Sequence, residues 1–505
     1  MTAQAHPQPF YRVLLSATGI TLLAQGVALF RQILIVGYFG LSRDLDLYST
    51  VYAMAVVTAF AFNIILENTC MSILVGIRDA QGEAFAARVA RQCLFFGALF
   101  GLASTIVFAV ITPLLSIVYA AGFSGEEHGR LLGLAVYFLP WALISPIYFV
   151  AMASLKSLLH YKSAFCAELI VALVSTLLLV CFHSKISYVP LAYAGGYMSA
   201  LAMLLVLLYR VKAVGNAERI SVRAMVKRIS AYFFSNQASI PGAMAERFWF
   251  SFLPPGGISA LALVQQLVMN LSGLLAFRDI YLVPLLPEAN RKDKLRRLLL
   301  GMAYITLPVV VFVAMFSTEI MHVMFGYGKV TAADIDLTAC LLSISMIGLF
   351  VTVVLTPCWR LLQTIGMYRP VTIFYVASAV STMLLGAILI RTLDLGVIGM
   401  VLISVINAIG GGVYLYKRYA RGSLRLHVQD CLLVLSGLAV SLGAAYIASL
   451  FSSPLPKGLL SLAITSAVYF TLVGLYAFLR RGMLKDLLEG RGGVTPINND
   501  NGSTT

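Results

Sequence analysis

Charge is scarce in this sequence. Only 11% of its 505 residues are Asp, Glu, Lys or Arg, where water-soluble chains average about 25%. So little charge cannot cover a globular surface in water. With 60% hydrophobic residues and a mean hydropathy of +0.91, the chain must face lipid. Short alternating apolar segments, the mark of a membrane barrel, are missing, and α-helices are the remaining way to span a bilayer. Acidic residues are fewer still, 21 against 36 Lys and Arg, giving a net charge of +15. The basic residues stand in breaks between apolar runs, so the excess reads as membrane topology and not as nucleic-acid binding. No C-x-x-C spacing links Cys70, Cys93, Cys166, Cys181, Cys340, Cys358 and Cys431. They read as small buried hydrophobes, which excludes a disulfide or metal framework. Six histidines without an H-x-x-x-H pair argue against metal chemistry. The run Gly410-Gly411-Gly412 has no Lys-Ser/Thr after it, so it is no phosphate loop. No cofactor is expected.

What the chain does have is apolar runs of span length, roughly 20 residues each. Fourteen are expected, near 13–38, 45–77, 92–120, 131–155, 163–184, 187–209, 229–253, 258–287, 298–325, 337–359, 370–390, 395–416, 430–452 and 458–479. Residues 1–11 have neither a basic n-region nor a small-residue cleavage site, so the first run is expected to be a retained helix. The Gly/Asn/Thr-rich stretch 490–505 is expected to be disordered.

The positive-inside rule tests this map. With the N-terminus inside, 27 of the 36 Lys and Arg fall in inward segments and six in outward ones. A missed span would scramble that split, so both termini are expected in the cytoplasm. Three arginines remain inside spans: Arg31, Arg247 and Arg278. A charge at mid-membrane costs a few kcal/mol or more, and such residues usually face a cavity or a partner. Arg31 and Arg247 are candidates for binding an anion, because a guanidinium offers paired hydrogen bonds to phosphate oxygens. Against this stands a plain structural role in tying helices together. Arg278 is a weaker gating candidate that can snorkel. Asp46 and Glu67 are candidate coupling carboxylates, with Glu168 beside them. Gln25, Gln265, Gln266 and Asn270 supply amides on the first and eighth helices, for a sugar or for interhelical hydrogen bonds.

The two halves echo each other. Arg31 precedes Gly40 by nine residues, and Arg247 precedes Gly256 by nine. The third and ninth spans align Arg91 with Arg297 and Thr112 with Thr318. The sixth and twelfth end in Leu208-Tyr209-Arg210 and Leu415-Tyr416-Lys417. Six helices separate each pair, so the repeats share orientation. The expected plan is two six-helix lobes, 1–215 and 216–425, then two extra helices in 426–485 and a tail, 486–505. A substrate would bind between the lobes near the midplane.

The stretches Phe30-Arg31-Gln32-Ile33-Leu34-Ile35-Val36-Gly37-Tyr38-Phe39-Gly40 with Asp46-Leu47-Tyr48, and Phe325-Gly326-Tyr327-Gly328-Lys329-Val330-Thr331-Ala332-Ala333-Asp334, resemble bacterial MurJ/MviN proteins. These belong to the multidrug/oligosaccharidyl-lipid/polysaccharide exporter superfamily. The resemblance covers nearly the whole chain. It implies an all-α transporter that flips an undecaprenyl-pyrophosphate-linked saccharide, lipid II or a related polysaccharide precursor, across the inner membrane, and no enzymatic activity. It also implies a groove for the lipid tail in the last two helices. Arg31 matches a cavity arginine of the family and Asp46 its acidic residue at the start of the second helix. The chain departs from the family at Gln25 and Gln266, where basic residues are expected, at Met269, where an acidic one is, and around Ala59-Phe60-Ala61-Phe62, where arginines are. Two other functions fit the composition: a small-molecule exporter of the same superfamily coupled to a proton or monovalent cation, and a membrane-embedded polysaccharide polymerase or transferase. The short outward loops, without clustered His, Asp or Arg, count against the latter.

Overall fold

The computed structural model describes residues 10–213, 240–274, 291–364, 368–415, 428–452 and 458–479. Helices occur at all fourteen expected positions. The first six spans are α1 (Phe10–Phe39), α2 (Arg43–Ala55) continued by α3 (Ala61–Gln81), α4 (Glu83–Tyr119), α5 (Gly125–Ala135) running into α6 (Leu139–Ser157), α7 (Tyr161–Cys181) and α8 (Tyr188–Arg210). The seventh and eighth are described over α9 (Ile240–Phe250) and α10 (Gly257–Leu274). Then follow α11 (Arg291–Met315), α12 (Ser317–Phe325), α13 (Ala332–Thr364), α14 (Tyr368–Gly386), α15 (Gly396–Leu415), α16 (Val428–Ser452) and α17 (Leu459–Leu479). Among the described residues, ten helices are long and apolar enough to cross a membrane, eleven if the bent pair α11–α12 is one span. The chain is a multi-pass, all-α membrane protein. Two expectations need correction. The third helix begins at Glu83, so Arg88 and Arg91 are helical and not in a loop. The stretch Gly122–Arg130, in the break between the expected spans 92–120 and 131–155, contains the start of helix α5. Its cap is a full capping box: Glu127 N–H donates to Ser124 Oγ, and Ser124 N–H to the Glu127 carboxylate.

Small residues decide how these helices pack. Without water to expel, membrane helices associate where backbones can approach closely. In α4, Gly97 and Gly101 are four apart and lie against α6. A methyl group at Gly97 would stand 3.2 Å from the Ile147 Cα, and one at Gly101 would strike the Leu143 carbonyl. Ser104 extends the stripe and donates its hydroxyl to the Ala142 carbonyl at 3.0 Å. The opposite face of α4 exposes Phe95, Leu99, Leu102, Ile106, Val110 and Leu114, a lipid-facing row. Gly196 of α8 sits against the Val171 carbonyl of α7 by the same logic. The second span is broken by a π-helical turn at Val56–Phe60. Such a turn inserts a residue into the helical register.

The chain divides into two compact units. The first comprises Met1–Asn270, Met324–Leu337 and Thr372–Ile403; the second comprises Leu271–Val323, Thr338–Val371 and Ser404–Thr505. In the first, α1 packs on α7, and α6 packs on α3, α4 and α8. In the second, α16 packs on α11 and α17. There Tyr469 donates its hydroxyl to the Pro308 carbonyl at 2.8 Å, and the Ser436 and Tyr476 hydroxyls pair at 2.8 Å. The break at Phe316 bends α12 68° from α11.

Candidate functional site

Arg31 lies on the inner face of α1 and is 8% exposed. Its guanidinium stacks over the Tyr193 ring, 4.1 Å from the centroid, and donates Nη1–H to the Ser175 hydroxyl. Its buried Nε–H has no acceptor. Tyr193 belongs to an aromatic cluster built around Trp141. Tyr52 stacks on Trp141 at 5.7 Å, Tyr193 lies at 5.7 Å and Tyr197 at 6.0 Å. Rings are strongly apolar with a negative face, so the cluster is a natural counterpart to a cation in a lipid-surrounded bundle.

Arg247 lies on α9, nine residues before Gly256, as Arg31 lies nine before Gly40. It is half-buried, its guanidinium lies 4.8 Å from the Phe250 centroid, and its buried Nη1 has no acceptor. The neighbouring carboxylate, Glu246, instead accepts a 2.6 Å hydrogen bond from Gln265 Nε2. Neither Arg31 nor Arg247 forms an ion pair among the described residues. Tyr52, Tyr193 and Ser175 escape a sequence reading because their partners lie far off in the chain.

Asp46 is fully buried and fully bonded. It accepts from Gly256 N–H at 2.7 Å, Ser259 N–H at 2.8 Å and the Ser259 hydroxyl at 2.7 Å. The carboxylate thus caps the positive end of α10, the first helix after the second glycine turn. Gly40 and Gly256, the pair singled out by the repeat, both have left-handed φ, +66° and +86°. A side chain at Gly256 would stand 2.6 Å from the Leu41 carbonyl. Gly328 (φ +80°) abuts Gly37, whose carbonyl accepts Lys329 N–H at 3.0 Å. Nearby, Arg43 forms a bidentate pair with Glu127, at 2.6 and 3.1 Å, over the Phe123 ring. The Arg43 hydrogen bonds hold the Glu127 carboxyl well below the usual range, at about 2. Arg130 pairs with Asp44 at the same end.

The remaining sequence candidates have partners of their own. Glu67 accepts from Lys156 Nζ at 2.8 Å, and Glu168 lies close enough to interact with both. Gln266 donates to Asn270 at 3.1 Å within α10. Gln25 is half-buried on α1, about 120° around the helix from Arg31 by its six-residue separation. Arg278 lies outside the described residues. Among the described residues no group of three or more His, Cys, Asp or Glu could hold a metal ion, and the six described cysteines are free.

These features define a fold before they define a substrate, and that fold is the one shared by MOP-superfamily transporters. An inward-facing multidrug resistance MATE family transporter of that superfamily matches with a TM-score of 0.54, 15% identity, and coverage of 82% of this chain and 99% of the other. The eukaryotic MATE transporter AtDTX14 matches at 0.52 and 15%, over 86% and 99%. The lipid II flippase MurJ, in an inward closed conformation, matches at 0.72 with 19% identity over 93% of this chain and 99% of that one. The MurJ fold is therefore present nearly end to end. No protein-family model matches the sequence, and no curated protein does.

Proposed function

We propose that this protein is a flippase carrying an undecaprenyl-pyrophosphate-linked saccharide, lipid II or a related polysaccharide precursor, from the cytoplasmic to the periplasmic leaflet of the inner membrane. The reading rests on one observation above the rest. Two arginines on membrane helices, Arg31 and Arg247, each keep a buried nitrogen without an acceptor and form no ion pair among the described residues, inside a fold like that of the lipid II flippase MurJ. Buried cations are strongly unfavourable unless an anion answers them. A pyrophosphate supplies about two negative charges. With the interior negative, its outward passage gains about 2.3 kcal/mol per charge per 100 mV.

In this reading both termini are cytoplasmic, as the distribution of Lys and Arg supports. Lobes 1–215 and 216–425 rock about the site, and the exposed apolar face of α16 and α17, with Leu442, Leu450 and Leu475, offers the tail groove. Asp46 is the outer latch, joining the first glycine turn to the head of α10. It releases when the outer side opens. Gln25, Gln266 and Asn270 meet sugar hydroxyls, and no covalent chemistry is required of the protein. The test is flipping of a fluorescent lipid-linked saccharide by the purified protein in vesicles. The double variant Arg31→Ala/Arg247→Ala is expected to fall to the protein-free rate, and a wild-type rate would overturn the proposal.

The second reading, a cation-coupled small-molecule exporter, draws on the half-buried Glu67–Lys156 pair with Glu168 beside it. It requires proton- or sodium-driven efflux of a water-soluble substrate by the same vesicles, abolished in Glu67→Gln.

A further inference from the structure

A second polar site lies at the opposite end of the first unit from the glycine turns, where α4 begins, α6 turns into α7 and α8 ends. A cavity of about 360 Å³ opens there, lined by Arg210, Lys212, His160, Ser163 and Glu83 among others. Three observations give it an electrostatic sign. The N-cap of α7, His160, supplies no side-chain cap. The first backbone bond of α7 runs from Ala164 N–H to the His160 carbonyl. The N–H groups of Tyr161, Lys162 and Ser163 therefore have no acceptor in the helix and carry its positive end. At the other wall, the negative end of α8 is already quenched. Arg91 donates to the carbonyls of Tyr209 and Val211 at 3.1 and 2.8 Å and stacks over the Tyr209 ring. Arg210 and Lys212 are thus not drawn to those carbonyls, and neither forms an ion pair among the described residues. The one acid in the lining, Glu83, lies 3.6 Å from His160.

We propose that this cavity is a binding site for a phosphate group, held by Arg210, Lys212, the Ser163 hydroxyl and the free N–H groups at the head of α7. Helix N-termini with nearby cations are ready-made phosphate sites. The site also stands at the helix ends, the level at which phospholipid phosphates lie and at which basic pockets between helices take up anionic headgroups. The site is separate from the two central arginines, and the transport reading does not depend on it.

The experiment is a thermal-unfolding titration of the full-length protein in neutral-detergent micelles, with phosphatidylglycerol, phosphatidylcholine or inorganic phosphate as the probe. Stabilisation by phosphatidylglycerol alone supports the site with a lipid headgroup as its occupant. Equal stabilisation by inorganic phosphate supports it with a soluble phosphate ester. In either case Arg210→Ala/Lys212→Ala is expected to weaken the apparent affinity about 30-fold, at about 1 kcal/mol for each cation. Arg88→Ala, which removes an exposed charge at the same end outside the cavity, is expected to leave affinity within about twofold. Glu83→Gln is expected to tighten binding about fivefold, a gain that misfolding cannot produce. No response to any probe, or equal loss in Arg88→Ala and the double variant, would overturn the proposal.

Discussion

Arg31 and Arg247 each stand nine residues before a left-handed glycine, Gly40 and Gly256, yet their surroundings differ. Arg31 is clamped: a tyrosine ring covers one face, a serine hydroxyl takes one N–H, and 8% of its surface is exposed. Arg247 is half-buried and leans on a phenylalanine of its own helix, while each arginine keeps one buried nitrogen without an acceptor. Its adjacent carboxylate is engaged by Gln265 instead. Arg31 is therefore oriented by side chains of other helices, whereas Arg247 rests on a ring of its own helix. In the proposed transport cycle, Arg247 makes the first strong hydrogen bonds to phosphate, while Arg31 contributes a fixed positive potential.

That asymmetry predicts unequal effects. Arg247→Ala is expected to lower flipping about 100-fold, because it removes charge-assisted hydrogen bonds worth roughly 1.5–3 kcal/mol each. Arg31→Ala is expected to cost about tenfold on the same scale. Equal losses would mean that the difference in packing has no functional counterpart. Next comes the latch. Asp46→Ala leaves two backbone N–H groups of the α10 head without their acceptor, at about 1–3 kcal/mol each. A lowered thermal midpoint and a more protease-sensitive outer turn are expected, with Asp46→Glu falling between. Gly256→Ala adds a side chain to a left-handed residue already against Leu41. It is expected to destabilise by about 1–3 kcal/mol, and Gly40→Ala by less, since its nearest contact is the looser 3.2 Å approach to Lys329.

The smallest effect expected is at Glu127. Its carboxyl ionises near 2 in the folded protein, below the unfolded value of about 4.3. The stabilisation it brings is therefore present at neutral pH and is lost as pH falls from the unfolded value through the folded one. The thermal midpoint should drop across that window, and less steeply in Glu127→Gln. Identical slopes would remove the Arg43–Glu127 pair from the stability of this end.

The helix positions, the paired glycine turns and the burial of Arg31 were readable from local pattern, because a bilayer punishes charge and exposed backbone so heavily that span positions follow from composition. The Ser124–Glu127 capping box was equally local, and its S-x-x-E spacing marks a helix start that apolar-run counting passes over. The partners of the site were not readable. Ser175 and Tyr193 reach Arg31 through packing of α1 on α7 and of α8 on α7, and no spacing in the sequence encodes that meeting. Asp46 looked like a titrating group on its acidity alone, whereas in the fold three donors surround it. Lys156 beside Glu67 escaped notice for the same reason.

The bond from Asp46 to Ser259 spans 213 positions of chain, and the one from Lys329 to the Gly37 carbonyl reaches further still. During synthesis, the first two helices enter the membrane long before either partner has been made. Until then the Asp46 carboxylate has Arg43, 3.8 Å away on its own helix, but not the three donors at the head of α10, and the glycine turn lacks the Lys329 N–H. A nascent chain halted before the eighth helix would carry that unfinished end exposed, which makes it the place for quality-control proteases or insertion chaperones to recognise an incomplete molecule.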